Sequence, residues 1–238
     1  ERFRFDVDAA LRALELSVAK APVKIAYVCS PSNPTGAAVP LADVERLLVG
    51  VAGRAVVVVD EAYGEYSAQP SALTLRSKYA NLVVLRTLSK AYALAGARLG
   101  ITIGDPSLIR VLNAIAPPYP LASPAVALAL DAVSPSAADE AKRRAGRIVA
   151  ERERVERALR GRDGVRAVYA SDANYLLVRF VDAEAAFRAL LAAGVVVRDQ
   201  RAAPRLHDAL RITIGTAEEN DAMLAALDSL PAAAGAAA

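Results

Sequence analysis

Two short runs in this 238-residue chain, AVVVVD (55–60) and NLVVLR (81–86), are apolar at almost every position. A strand with one face in water alternates polar and apolar residues, whereas a strand covered on both faces does not. VKIAYVC (23–29) and RLGITIG (98–104) have similar compositions. Helical patterns separate these strands, so we expect an α/β fold with a mostly parallel sheet covered by helices.

Apolar spacing typical of helices occurs in both halves of the chain, and it predicts helices over 6–19, 41–52, 106–116, 123–133, 137–161, 183–193 and 217–230. Beyond the long helix, short strands are predicted over 165–170, 175–180, 195–198 and 210–215. This change of pattern predicts three parts: a large domain over 1–136, a smaller C-terminal α/β domain over 137–231 and a disordered tail over 232–238. The many charges of 137–161 predict a solvated helix face.

Composition narrows the possible functions. Hydrophobic residues make up 55% of the chain and charged residues 23%, which is typical of a globular protein with a core. The net charge of +3 comes from basic residues mixed with acidic ones, so no nucleic-acid partner is expected. With only Cys29 and His207 available, we expect no internal disulfide and no metal site. No run of about 18 apolar residues occurs, so we expect no membrane partner and a cytoplasmic location.

Polar side chains follow three of the predicted strands where each strand ends. In chain order they are Asn33, Asp60, Tyr63, Thr87, Ser89 and Lys90. Ligands of open parallel sheets bind beyond the carboxyl ends of the strands, so these residues share the expected edge. Taken singly, each has an ordinary explanation: SPSNPTG (30–36) is rich in turn residues, and a lone lysine is usually solvated.

Taken together, the residues fit the chemistry of pyridoxal 5′-phosphate (PLP). An aldehyde cofactor needs a lysine amine such as Lys90 to hold it as a Schiff base. It also needs a carboxylate such as Asp60 beside the pyridine nitrogen, which makes the ring an electron sink. Planar guanidinium groups bind phosphate by paired hydrogen bonds. The remaining candidate donors are Asn33 and Tyr63 for the ring hydroxyl, and Thr87, Ser89 and Arg98 for the phosphate.

The chain resembles the fold type I PLP-dependent aminotransferases in four motifs, SPSNPTG, VVVDEAYGEYS, TLSKAYALAGARLG and LRITIGT. The resemblance runs from about residue 5 to residue 230, and within the family it is greatest to histidinol-phosphate aminotransferases. It implies that Lys90 forms the Schiff base and moves a proton between the substrate α-carbon and C4′ of the cofactor. It further implies a cis peptide bond before Pro34 and a homodimer with shared active sites.

The resemblance also implies substrate-binding residues. Arg211, in LRITIGT, falls where the family binds the substrate α-carboxylate. Arg198, thirteen residues earlier, would meet the phosphate of L-histidinol phosphate, and Asn174 would lie at the rim of the site. The expected reaction is amino transfer between L-histidinol phosphate and 2-oxoglutarate in histidine biosynthesis. His207 is predicted to be a surface residue.

Several alternatives stay open. Relatives with the same motifs use aromatic amino acids or decarboxylate threonine phosphate, and a non-catalytic PLP-fold chain is a further possibility. A dinucleotide-binding oxidoreductase would need a G-x-G-x-x-G loop, and the sequence has none. Family members also have an N-terminal part with a phosphate-binding loop, a stacking aromatic ring and two sheet strands. We therefore expect a fragment of a longer enzyme that binds PLP less well or is inactive by itself.

Overall fold

The computed structural model describes residues 3–17, 22–228 and 230. The helices are α1 (Val7–Ser17), α2 (Leu41–Gly50), α3 (Pro106–Ile115), α4 (Ser123–Ala132), α5 (Pro135–Leu159), α6 (Ala183–Ala192) and α7 (Ala217–Leu227). The strands are β1 (Ile25–Cys29), β2 (Val56–Asp60), β3 (Leu82–Thr87), β4 (Gly100–Gly104), β5 (Val165–Val168), β6 (Tyr175–Phe180), β7 (Arg198–Asp199) and β8 (Ala209–Thr213). The predicted tail, 232–238, lies outside the described residues. None of the described helices is long and apolar enough to cross a membrane.

The first sheet has the strand order β1-β2-β3-β4. The first three strands are parallel, as the apolar runs predicted, and Cys29 lies opposite Asp60 at their carboxyl ends. The sheet is mostly parallel, as expected, and the exception is the edge strand β4, which pairs antiparallel with β3. The connection between β3 and β4 contains only a short 3-10 helix (Ala95–Ala97), so no crossover helix returns the chain to the opposite edge.

One face of the first sheet is well packed. Leu48 of α2 and Val57, Leu82 and Val84 of the central strands are fully buried in a single apolar cluster. Val7 of α1 belongs to the same cluster, and Leu11 and Leu14 of that helix pack against it. This packing fixes the central strands, and with them the loops that leave their carboxyl ends.

The second sheet is antiparallel, with the order β5-β6-β8-β7. Its inner strand β6 is buried on both faces: successive side chains of a strand point to opposite faces, and nearly all of them are buried here. Leu176, Val178 and Phe180 join the core formed with α5, α6 and α7. Tyr175 instead belongs to a separate cluster with Tyr63 from the other half of the chain. The largest departure is at β7, which comprises Arg198–Asp199 and so shares only Arg198 with the predicted strand over 195–198.

Helix α5 departs at Arg152 from the prediction that its charge run forms a solvated face. Its buried residues are Ala141, Ala145, Arg152, Val155 and Leu159. They recur at helical spacing, so Arg152 lies within the buried stripe and is only 7% exposed. Its Nη1 atom donates to the carbonyl oxygens of Ala173 (2.7 Å) and Tyr66 (3.4 Å). The charge run is therefore solvated in part, and Arg152 joins the two halves of the chain.

A second contact between the two halves lies at Gly36, which has a φ of +80°. We call the contacts at Arg152 and Gly36 together the joint. The Gly36 carbonyl oxygen accepts a hydrogen bond from the Asp172 amide (2.7 Å). A Cβ atom at Gly36 would lie 2.3 Å from Ser171 Oγ and 3.0 Å from Ser171 Cα, so no side chain fits. Glycine therefore satisfies both the left-handed backbone and the close approach.

Candidate active site

The predicted edge of polar residues forms where the parallel strands end. Asp60 is the last residue of β2 and lies between Cys29 of β1 and Leu85 of β3. The loops that follow these strands carry Asn33 and Lys90. The sheet register thus brings the three loops to one edge, as open parallel sheets do for ligand binding.

Lys90 lies in the loop after β3, and its side chain is exposed. Its Nζ atom lies 5.4 Å from the centre of the Tyr63 ring, within the range of a cation–π contact. The Tyr63 ring in turn meets the Tyr175 ring edge to face, with the centres 5.1 Å apart. The structure therefore brings the predicted lysine and tyrosine together and adds a second aromatic ring.

The Asp60 carboxylate is held through both of its oxygen atoms. Oδ1 accepts a hydrogen bond from the Ala62 amide (3.0 Å), and Oδ2 accepts one from the Tyr27 hydroxyl (2.5 Å). Although Tyr27 is 59% exposed, partial desolvation of its hydroxyl and the hydrogen bond to Asp60 both raise its pKa, so the hydroxyl remains a donor. Sequence reasoning treated Tyr27 only as part of a strand, although its position two residues before Cys29 places both on one face of β1.

Two of the proposed phosphate ligands contact one another. The Thr87 and Ser89 hydroxyl oxygens lie 2.9 Å apart, and Thr87 Oγ1 accepts from the Ser89 amide (3.1 Å). Arg98 is exposed, with a φ of +56°, and its Nη1 atom donates to the Ala95 carbonyl (2.8 Å). The Thr87–Ser89 hydroxyl pair thus lies at the end of β3, whereas the Arg98 guanidinium is hydrogen-bonded within its own turn.

Arg211, in β8, reaches from the second sheet to the loop after β1. Its Nη1 atom donates to Asn33 Oδ1 (2.6 Å), and its Cζ atom lies 4.8 Å from the centre of the Tyr175 ring. Its Nε atom is buried without a hydrogen-bond partner. The peptide bonds before Pro31 and Pro34 are both cis, which confirms the expectation for Pro34.

Arg198 lies directly opposite Arg211 in the β7–β8 pairing. Both arginines and Asn33 line an open pocket of about 560 Å³. Two guanidinium groups opposite each other repel, and an anion between them would relieve that repulsion. Asp199 also lines the pocket, but its carboxylate pairs with Arg201, so the two arginines leave positive charge for a carboxylate or phosphate.

The remaining candidates lie at the margins. Asn174 is partly buried just before β6, and its backbone carbonyl accepts from the Ile214 amide (2.9 Å). His207 is exposed, as predicted, in the loop before β8. Cys29 is partly buried at the end of β1, and burial raises the pKa of its thiol. Tyr175 was missed by sequence reasoning, because an aromatic residue in an apolar strand is usually part of the core.

Comparison with known proteins identifies the family of the chain. Residues 1–227 match the family described as aminotransferase class I and II. The chain belongs to this family. It is 54% identical over 230 residues to a histidinol-phosphate aminotransferase of Xylella fastidiosa strain Temecula1, covering 97% of this chain and 62% of the relative. A histidinol-phosphate aminotransferase of Xanthomonas campestris pv. campestris strain B100 is 58% identical over 207 residues, covering 87% and 57% respectively.

A solved structure supports the same family. The histidinol-phosphate aminotransferase of Sinorhizobium meliloti, in complex with pyridoxal-5′-phosphate, is 30% identical to this chain. It superposes with a TM-score of 0.80 over 94% of this chain and 60% of that one. The chain thus has the fold of the PLP-dependent aminotransferases. It spans about three fifths of the length of these relatives.

Proposed function

We propose that the chain provides the cofactor lysine and the anion-binding arginines of a PLP-dependent aminotransferase that acts on L-histidinol phosphate and 2-oxoglutarate. The observation that carries the proposal is that the parallel strands bring Asn33, Asp60 and Lys90 to one edge of the first sheet, where Arg211 of the second sheet donates to Asn33. Relatives that are 54% and 58% identical to the chain are named histidinol-phosphate aminotransferase, which supports this choice of substrate.

The donor set of the site fits PLP. Lys90 offers an exposed amine, and the Asp60 carboxylate is oriented by two hydrogen bonds. The hydroxyl pair of Thr87 and Ser89, together with Arg98, would hold the phosphate, and Asn33 and Tyr63 would hold the ring hydroxyl. When bound, PLP supplies an electron sink for the bonds at the substrate α-carbon.

The chain's own residues would bind the substrate and move its protons. The Lys90 amine, once free, is the base that takes the proton from the substrate α-carbon. Arg211 would pair with a carboxylate of 2-oxoglutarate, because a guanidinium binds carboxylate oxygens in a fixed orientation. Arg198 shares the pocket with Arg211 and would contact the phosphate of L-histidinol phosphate, and Asn174 would lie at its rim.

We propose further that the chain divides near residue 136, at the start of α5, into a large domain over 1–136 and a small domain over 137–231. The two separate sheets on either side of this position support the division. The whole enzyme is proposed to be a cytoplasmic homodimer. Sedimentation of the protein at several concentrations, with and without PLP, tests the dimer.

The first experiment tests cofactor attachment. The chain is incubated with PLP, reduced with borohydride and digested, and the labelled peptide is identified by mass spectrometry. We expect one label on Lys90, loss of the label in Lys90→Ala, and no loss in Lys142→Ala, which removes a lysine that is 81% exposed. Labelling spread over surface lysines at the same level would contradict the proposal.

The second experiment tests the substrate. The PLP-loaded protein is mixed with L-histidinol phosphate or phenylalanine, and the change in cofactor absorbance is followed. We expect Arg198→Gln to weaken the response to L-histidinol phosphate at least tenfold and to leave the response to phenylalanine within twofold. An equal loss with both donors would exclude a phosphate-specific role for Arg198, and carbon dioxide release from threonine phosphate would indicate the decarboxylase alternative.

A further inference from the structure

Tyr175 is the first residue of β6 and is 1% exposed, yet it does not belong to the core beneath the helices. Its side chain lies on the opposite face of the strand from Leu176 and points toward the first sheet. There it contacts Tyr63, Arg211 and Ser32. Two of these neighbours are predicted site residues, and Ser32 directly precedes a third, Asn33.

The ring of Tyr175 supports Arg211. The Arg211 Cζ atom lies 4.8 Å from the ring centre, and the ring edge is packed at 89° against the ring of Tyr63. Cation–π contacts are strongest where water is excluded, and this ring is fully buried. The Arg211 guanidinium therefore lies against a buried ring whose own position is fixed by packing.

The hydroxyl of Tyr175 supports the loop that carries Asn33. It donates to the Ser32 carbonyl (2.8 Å), which also accepts from the Gly36 amide (2.6 Å). Burial raises the pKa of the Tyr175 phenol, so the group stays protonated and keeps donating. The hydroxyl thus links the second sheet to the backbone of the SPSNPTG loop.

These contacts close a ring of interactions. Arg211 rests on Tyr175 and donates to Asn33, while Tyr175 donates to the residue before Asn33. We propose that Tyr175 is a positioning residue that fixes the Arg211 guanidinium with its aromatic ring and the Asn33 loop with its hydroxyl. The consequence for carboxylate binding rests on the function proposed above for Arg211, whereas the positioning itself does not.

The test separates ring from hydroxyl. Tyr175→Phe keeps the ring and removes the hydroxyl, and Tyr175→Leu removes both. Phe180→Leu is the matched control, because Phe180 lies on the same strand, is fully buried and is outside the site. The readout is the Nε–Hε signal of Arg211 in a nitrogen-15 spectrum of the cofactor-free chain, assigned with Arg211→Lys.

We expect the Arg211 signal to carry an upfield ring-current shift in the wild-type chain and in Tyr175→Phe. The shift should vanish in Tyr175→Leu and persist in Phe180→Leu. An unchanged signal in Tyr175→Leu, or an equal change in Phe180→Leu, would overturn the proposal. We also expect faster amide exchange at Gly36 in Tyr175→Phe than in the wild type. That measurement decides the role of the hydroxyl even if the leucine variant does not fold, and unchanged exchange would refute it.

Calorimetry with 2-oxoglutarate as the probe then connects positioning to binding. We expect the dissociation constant to rise about tenfold or more in Tyr175→Leu, about fivefold in Tyr175→Phe, and less than twofold in Phe180→Leu. Equal affinity in all four proteins would contradict a positioning role in carboxylate binding. If the wild type does not bind 2-oxoglutarate while the spectral pattern holds, the function proposed for Arg211 fails and the positioning by Tyr175 stands.

Discussion

The two sheets of the chain differ in how completely they bury their apolar side chains. In the second sheet, five of the six residues of β6 are at most 1% exposed. In the first half of the chain, Ile25 of β1 is 62% exposed, and the described helices α3 and α4 contain no buried residue. The second half therefore encloses its own core, whereas the first half has a packed face and an uncovered one.

This difference indicates which half of the chain contributes more to the free energy of unfolding. It also indicates how the site depends on each half. Removing apolar surface from water contributes about 25 cal/mol per Å². The second sheet gains this stabilisation on both faces of its central strand. The site lies between the halves, because Asn33 and Lys90 come from the first and Tyr175 and Arg211 from the second. Its geometry thus requires the joint as well as the two cores.

The largest effect is expected from opening the second core. Leu176→Ala removes a fully buried side chain from β6, and we expect it to lower the free energy of unfolding by about 2–5 kcal/mol. Leu130→Ala in α4, where the leucine is 66% exposed, should change it by less than about 0.5 kcal/mol. Urea unfolding followed by circular dichroism measures both. A similar loss in the two variants would mean that α4 is covered in solution.

The next effect concerns the joint. Gly36→Ala places a methyl group against Ser171 and forces alanine to a φ of +80°, and we expect a loss of about 2–3 kcal/mol. Gly53→Ala is the control, since Gly53 has a similar φ of +69° but open space around its Cβ position. The difference between the two variants in urea unfolding isolates the close contact. Equal losses would show that only backbone strain matters.

The fold could be predicted in outline because its signals are local. Continuous apolar runs indicate buried strands, and the positions of β2 and β3 agree with prediction to within one residue. The direction of β4 could not be inferred, because it depends on how the chain returns after Lys90. The buried position of Arg152 was available in the sequence: it shares a helical stripe with Ala141, Ala145 and Val155. The density of surrounding charges concealed that spacing.

Arg152 gives the third prediction. Its guanidinium is buried and donates to two carbonyl oxygens, one from each half of the chain. Arg152→Met keeps much of the side-chain volume but leaves those carbonyls without this donor, so we expect a loss of about 1–2 kcal/mol in urea unfolding. Arg147→Met, which changes a 66% exposed arginine of the same helix, should have a much smaller effect. An equal effect would refute the role of Arg152 at the joint.

The site was partly predictable for a related reason. Lysine, aspartate and asparagine at strand ends have side chains whose chemistry is informative, and their strands are local features. Tyr27 and Tyr175 could not be predicted as site residues, because their roles depend on hydrogen bonds to Asp60 and Ser32 across the fold. A tyrosine in an apolar strand indicates only that its hydroxyl needs a partner. The tertiary structure determines which partner that is.

The last effect is expected from pH and again concerns the joint. Tyr66, whose carbonyl accepts from Arg152, is 6% exposed, and burial raises the pKa of its phenol from 10.0 to about 12. The unfolded chain loses this proton first, near pH 10. The contribution of Tyr66 to stability is therefore complete below pH 10 and is lost as the pH rises towards about 12.

The test is the urea midpoint measured at several pH values between about 9 and 12. We expect the wild-type free energy of unfolding to fall over this interval, with a share of about 2 kcal/mol from Tyr66, because each unit of pKa difference corresponds to about 1.4 kcal/mol. Tyr66→Phe should flatten the decline but not abolish it, because burial also raises the pKa of Tyr175. Tyr119→Phe, at a residue that is 96% exposed, should follow the wild-type curve. If Tyr66→Phe follows it as well, the Tyr66 phenol is solvated and the joint is looser than its contacts indicate.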